Sequence, residues 1–258
     1  MNRHAPMRQA LALLLAGWAM SAGTAAAQAL IPTVKSYQAC TEAVDRDPET
    51  GMTAALQWRD LGGGRAAEHC VALALAANGN SRLAATRMQD LAEVFGGARP
   101  DMAATIMSQA AALWVLARED ARALTALDRA LEWQGNSAAL HLDRAHVLAG
   151  LKRFDEAQQE TDIVLSIDDL SAEAYALRAM INRQTGQVAA AESDIVNALA
   201  LQPDQPQALV ERARSRAGAG DIRGAREDLL SVIAQDETAA VAEDARRLLE
   251  QLDVAISD

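Results

Sequence analysis

One interval governs this chain: Ala123, Ala157, Ala191 and Ala225 each stand 34 positions from the next. Ala111, Ala145, Ala179 and Ala213 repeat at the same interval, as do the apolar residues Leu131, Leu165, Leu199 and Ile233. A fixed period sustained from about residue 104 to residue 236 marks a repeat array. Within each unit the two alanines lie twelve positions apart, which suits the close contact of two antiparallel helices. The second helices carry apolar stripes at helical spacing: Leu124, Leu127 and Leu131; Ala157, Val164 and Leu165; Ala191, Ile195 and Leu199; Ala225, Leu229 and Ile233. A lone hairpin would leave such a stripe wet, so neighbouring units must stack to bury it. Half the residues are hydrophobic while only 3% are aromatic, a composition suited to closely packed helices.

These residues resemble the tetratricopeptide repeat, whose 34-residue helix-turn-helix units place small residues where the two helices meet. The fullest copy runs from Ala172 to Gln205, with Tyr175, Ala179, Gly186, Ala191, Ile195, Ala198, Leu199 and Pro203 at the family's positions. The counterparts of Pro203 are Gly135, Asp169 and Glu237, so one unit alone closes with proline. The resemblance implies an all-α, right-handed superhelical solenoid of antiparallel helix pairs, about six hairpins long, with a C-terminal capping helix. The expected divisions are a signal peptide over 1–27, degenerate hairpins over 28–100, regular repeats over 101–236 and the cap over 237–258. In the cap, Val241, Ala245, Leu248 and Leu252 form an inner face, and Glu243, Asp244, Arg246, Arg247 and Glu250 an outer one.

The signal is read from Arg3 and Arg8, the apolar run Ala10 to Met20, and the small-residue tract ending in Ala25-x-Ala27. No later apolar run is long enough to cross a bilayer, so no stable membrane insertion is expected after cleavage. Losing Arg3 and Arg8 takes the formal charge from −11 to −13. Only two lysines occur, Lys35 and Lys152, and the arginines are interleaved with acids. Nucleic acid is therefore excluded as a partner, because phosphate binding needs a concentrated basic surface.

Cys40 and Cys70 are the two cysteines, and an even pair in an exported chain predicts a disulfide tying the first helix to the third. In this amino-terminal region a helix is expected over Ser36 to Asp45. A second begins at Asp47-Pro48 and is stopped by Gly62-Gly63-Gly64. Two more span Ala66 to Ala77 and Arg82 to Phe95. Ala85 lies 38 positions before Ala123, four more than the period, and the excess is assigned to a lengthened connector at Gly96 to Pro100. The acids Asp45, Asp47 and Glu49 do not make a calcium loop: the required twelfth-position glutamate is Leu56, and Pro48 intrudes.

Charge repeats in step with the alanines. Arg144, Arg178 and Arg212 share one register position, and Glu160, Asp194 and Asp228 another. Three stacked arginines could clamp an anionic ligand. The acids recurring alongside them favour structural ion pairs within each unit instead.

Catalytic constellations are absent from the sequence: it holds no G-x-x-x-x-G-K-[ST], no H-E-x-x-H and no G-x-S-x-G. His141 and His146 are five apart, off the spacing of a helical metal pair, and His69 beside Cys70 is isolated. No catalytic residue, metal or cofactor is expected. What remains is the concave wall, where the resemblance places Thr105, Ser108, Leu142, His146, Glu173, Met180, Arg183, Val210 and Arg214, with Ala112, Ala139 and Ala176 between them. The lysines and asparagines of the family's carboxylate-clamp subtype are missing from these positions. A mixed, largely apolar groove of this kind suits an extended peptide or a helix. The expected function is a non-catalytic scaffold of the bacterial periplasm binding a protein or peptide. Two alternatives stay open: a module for a small molecule or cell-wall fragment, and an accessory subunit of an envelope enzyme complex.

Overall fold

The helices that open at Ala138, Ala172 and Pro206 begin where the sequence supplies a side-chain cap, and these caps recur with the repeat. The computed structural model describes residues 34–257, so the proposed signal at 1–27 lies outside the described residues. Among them are thirteen helices and no strand. They are α1 (Tyr37–Arg46), α2 (Pro48–Asp60), α3 (Gly64–Ala77), α4 (Ser81–Gly96), α5 (Pro100–Leu116), α6 (Asp120–Trp133) and α7 (Ala138–Gly150). The remainder are α8 (Phe154–Ile167), α9 (Ala172–Gln184), α10 (Val188–Leu201), α11 (Pro206–Gly218), α12 (Ile222–Gln235) and α13 (Ala240–Ser257). Each helix packs against the next, and α1 meets α3, α5 meets α7, α7 meets α9, α9 meets α11 and α11 meets α13, which makes an all-α solenoid of antiparallel pairs.

Ser137, Ser171 and Gln205 share one register position and cap α7, α9 and α11. Their side-chain oxygens accept from the backbone N–H of Leu140 (3.4 Å), Ala174 (3.2 Å) and Ala208 (2.7 Å). One period earlier the same position is Ala103, which cannot cap and is buried. Helix α5 therefore runs back a further turn to Pro100, whose missing N–H suits a first helical position. This corrects the expected long connector: the four extra residues lie in α5, which has 17 residues against 13 in α7, and only three residues join it to α4.

The turns inside the regular hairpins repeat as closely. Arg118, Lys152, Gly186 and Gly220 occupy one register position and all have positive φ, at 61°, 59°, 79° and 85°. Each is followed by a residue whose N–H reaches back five positions, as from Arg153 to Leu148 O (2.9 Å) and from Gln187 to Asn182 O (2.7 Å). This is the Schellman closure, which satisfies the last helical carbonyls.

The paired alanines of the period are all buried, so the two helices of a unit meet through methyl groups. The third repeated apolar position behaves otherwise: Leu131, Leu165, Leu199 and Ile233 are only half-buried. The residues one place earlier, Ala130, Val164, Ala198 and Val232, take the inward position. In the large cluster around α4 to α6, Trp114 is buried with Met88 and Met107, and its indole N–H donates to Gln89 Oε1 at 2.9 Å.

At the amino-terminal end, Cys40 on α1 and Cys70 on α3 form a disulfide with Cα atoms 6.3 Å apart. Both cysteines are fully buried, among Val44, Ala55 and Val71. Asp47 caps α2, accepting from Glu49 N at 3.2 Å and from the Thr50 hydroxyl, which holds its carboxyl below the usual range. Gly64 opens α3 at φ 60°, so only Gly62 and Gly63 separate α2 from α3, together with Leu61.

Candidate functional site

The odd-numbered helices line one wall of the solenoid, and one polar link joins each to the next. Tyr37 on α1 and Gln109 on α5 both bond His69 on α3, at 2.8 Å to Nδ1 and 2.8 Å to Nε2. Ser108 on α5 donates to Asp143 on α7 at 2.6 Å, and His146 on α7 meets Glu173 on α9 at 3.1 Å. Further along, Arg183 on α9 pairs with Glu211 on α11, and Arg214 on α11 donates to Asp244 on α13 at 2.6 Å. The His146 hydrogen bond lowers the pKa of Glu173.

Between these links the wall is uneven. Helices α9 and α11 pack closely, whereas α5 and α7, and α7 and α9, touch at few points. Small residues explain the gap beside α5: Ala111 and Ala112 face Gly150 and Val147, where later units carry Met180, Arg183 and Arg214 at the register positions of Ala112 and Val115. A depression of about 520 Å³ results, with Val115 and Leu116 on its rim and Ser108, Asp143 and His146 on its polar side. A smaller one of about 200 Å³ lies between α7, α9, α11 and α13, lined by Glu173, Ala176, Met180 and Val210. His146 borders both, so the two are neighbours on one face.

Of the residues expected on this wall, Ser108, Ala112 and His146 border the larger depression, and His146, Glu173, Ala176, Met180 and Val210 the smaller. Thr105 turns its hydroxyl back to the Asp101 carbonyl, and Leu142 packs half-buried against the α7–α9 core. Val210 departs from an exposed groove position: it is 3% exposed, because it belongs to the core cluster that includes the half-buried Val241 and Leu248 of α13. Ala176 is likewise buried, under α11. Arg183 and Arg214 are engaged by Glu211 and Asp244 and are not free cations. Asp143, Tyr37 and Gln109 were not singled out in the sequence, and Asp244, expected on the outer face of the cap, is half-buried and bonds Arg214 instead. Asp143 could have been found by extending the register, since Glu211 holds the same position two units later.

The period-34 charges lie between the helices of each hairpin, away from this wall. Arg178 makes a two-pronged bond to Asp194, Nε to Oδ2 at 3.0 Å and Nη2 to Oδ1 at 2.8 Å, and Arg212 does the same to Asp228 at 3.0 and 2.7 Å. Arg144 pairs with Glu160, which also bonds His141 Nδ1 at 2.6 Å. The arginines reach backward too: Arg144 to Asp128 at 2.9 Å and Arg178 to Asp162 at 2.7 Å, each acid belonging to the preceding unit. Arg212 has Val196 in that place, and Arg216 instead adds a second cation to Asp228 at 2.8 Å. These hydrogen bonds hold the Arg178 and Arg212 guanidiniums above the usual arginine range.

Among the described residues no cluster of three or more His, Cys, Asp or Glu could hold a metal ion, and no helix is long and apolar enough to cross a membrane.

Solved structures share this architecture. A tetratricopeptide repeat protein from Parabacteroides merdae superposes with a TM-score of 0.66 at 16% identity, over 84% of this chain and 85% of that one. This chain has the tetratricopeptide-repeat fold. PilF of Pseudomonas aeruginosa shares the tetratricopeptide-like architecture at a TM-score of 0.55 and 19% identity, over 75% of this chain and 87% of its own. MamA of Desulfovibrio magneticus does so at 0.53 and 16%, over 66% and 94%. No protein-family model and no curated protein sequence matches the chain. In tetratricopeptide terms, α3, α5, α7, α9 and α11 are the first helices of their units.

Proposed function

We propose that this chain is a non-catalytic scaffold of the bacterial cell envelope that holds a peptide or helix of another protein on its concave wall. The observation that carries the reading is the unequal wall: an open, mostly apolar depression between α5 and α7, continued past His146, and a far end shut by the Arg183–Glu211 and Arg214–Asp244 pairs. An elongated apolar groove with polar groups at its edges is what a peptide or helix uses, taking energy from buried side chains and register from a few hydrogen bonds. A small polar ligand would instead require a closed pocket with converging polar groups. Export is supported by the leader pattern over 1–27 and by the Cys40–Cys70 bridge, since such bridges persist in oxidising compartments.

The test is cross-linked capture from native cell envelope with the wild-type chain and with Ala112→Glu/Leu116→Glu, whose positions are exposed on the depression. Val210→Glu is unsuitable, because it would bury a charge under α13. Loss of one protein with the variant supports the reading; identical recoveries with both chains contradict it.

A further inference from the structure

Every charged side chain bordering the far half of the wall is already matched. His146 meets Glu173, Arg183 meets Glu211, and Arg214 meets Asp244. Around the open depression, Arg118 and Asp120 border the α5–α6 turn and contribute one charge of each sign. Asp143 stands apart. Its carboxylate is exposed, accepts only the neutral Ser108 hydroxyl, and has no cationic partner among the described residues. Ser108 fixes that carboxylate at the edge of a surface made by Ala111, Ala112, Val115, Leu116 and Val147.

An apolar wall ending in a held, unmatched carboxylate complements a side chain with an apolar stem and a cationic tip. Resting on the concave-wall reading, we infer that the α5–α7 depression takes a lysine or arginine of a basic amphipathic segment on the partner protein. The stem lies along Ala112 and Val115, and the cation meets Asp143. The chain's overall charge of −11 draws such a segment toward it, while Asp143 decides where it settles. An acidic segment seated in the same place would set a carboxylate against Asp143.

The experiment uses the disulfide-intact chain and two fluorescein-labelled helical peptides with identical leucine faces, one carrying lysine on its polar face and the other glutamate at the same positions. Binding is read by anisotropy. The lysine peptide is expected to bind at least about tenfold more tightly than its twin, and Asp143→Asn to weaken it by about fivefold to tenfold. Glu227→Gln, an equal charge change on the exposed surface of α12, is expected to leave binding unchanged. Equal binding of the two peptides, no binding of the lysine peptide, or equal effects of Asp143→Asn and Glu227→Gln overturns the inference. Ala112→Trp, which fills the depression, separates the two readings. If the wild-type chain binds the two peptides equally and Ala112→Trp abolishes both, the groove stands and its preference for cations falls. If it and Asp143→Asn both leave lysine-peptide binding intact, the groove falls as well.

Discussion

Arg178 on α9 grips Asp194 on α10 with two parallel hydrogen bonds, at 3.0 and 2.8 Å, and reaches Asp162 on α8 with its third nitrogen at 2.7 Å. One side chain thus ties three helices across two repeat units. Asp194 is 4% exposed, and Asn182 Nδ2 donates to it as well, at 2.9 Å. Removing the guanidinium leaves a carboxylate buried without its counter-charge. Arg178→Ala is expected to cost about 3 kcal/mol, read from the urea midpoint. Arg178→Met/Asp194→Leu, which removes both charges, should recover most of that loss. A double variant as unstable as the single one would contradict this account of the pair.

Lys152 sits at φ 59° where the next two units place Gly186 and Gly220. A side chain in this region costs roughly 1 to 2 kcal/mol per residue, which glycine avoids, while glycine adds freedom to the unfolded chain. The balance should make Lys152→Gly more stable by up to about 1 kcal/mol, and Gly186→Ala less stable by about as much. Thermal melts of the two variants check both signs.

The Cys40–Cys70 bridge closes a loop with a sequence separation of 30 and joins the first hairpin to the second. Replacing both cysteines by alanine should destabilise the amino-terminal end by about 3 to 4 kcal/mol. Hydrogen exchange should locate the loss in α1 to α3. Equal loosening of α9 to α12 would mean that the array unfolds as one unit and would contradict a local role.

Several carboxyls are held below their ordinary values: Glu93 by Arg129, Glu156 by Arg153, Glu173 by His146, and Asp47 and Asp236 by hydroxyl and backbone donors at their caps. A depressed folded-state pKa means that the native chain binds fewer protons than the unfolded one in that range. The contribution is complete above the ordinary values of 3.8 and 4.5 and is lost as pH falls through the lowered ones. Urea midpoints should therefore fall steadily from about pH 5 to about pH 2.5. A midpoint constant over that range would contradict these assignments.

Much of this architecture was legible in the register. Alanines at 111 and 123 and their later copies announce the close helix contacts, and the acids in step with Arg144, Arg178 and Arg212 announce the pairs within the hairpins. The position of the extra turn was not legible, because it follows from something missing: Ala103 lacks the cap that Ser137, Ser171 and Gln205 provide, and a glycine-rich stretch nearby looked the better place for four added residues. The candidate site was less readable still. A register assigns Val210 to the concave wall, but only the path of α13 shows that it is covered. Asp162 and Asp128 bond arginines of the following unit, a link between repeats that a pattern read within one repeat does not display.

The central claim is that partners bind across α5, α7 and α9 rather than on the outer helices. Its most direct test is hydrogen exchange on the full chain with and without the protein captured from the envelope. The expected result is slowed exchange in α5, α7 and the start of α9, with α6, α8 and α10 unchanged. Protection confined to α6, α8 and α10, or to α1 and α2, would contradict the claim and place the binding face elsewhere on the solenoid.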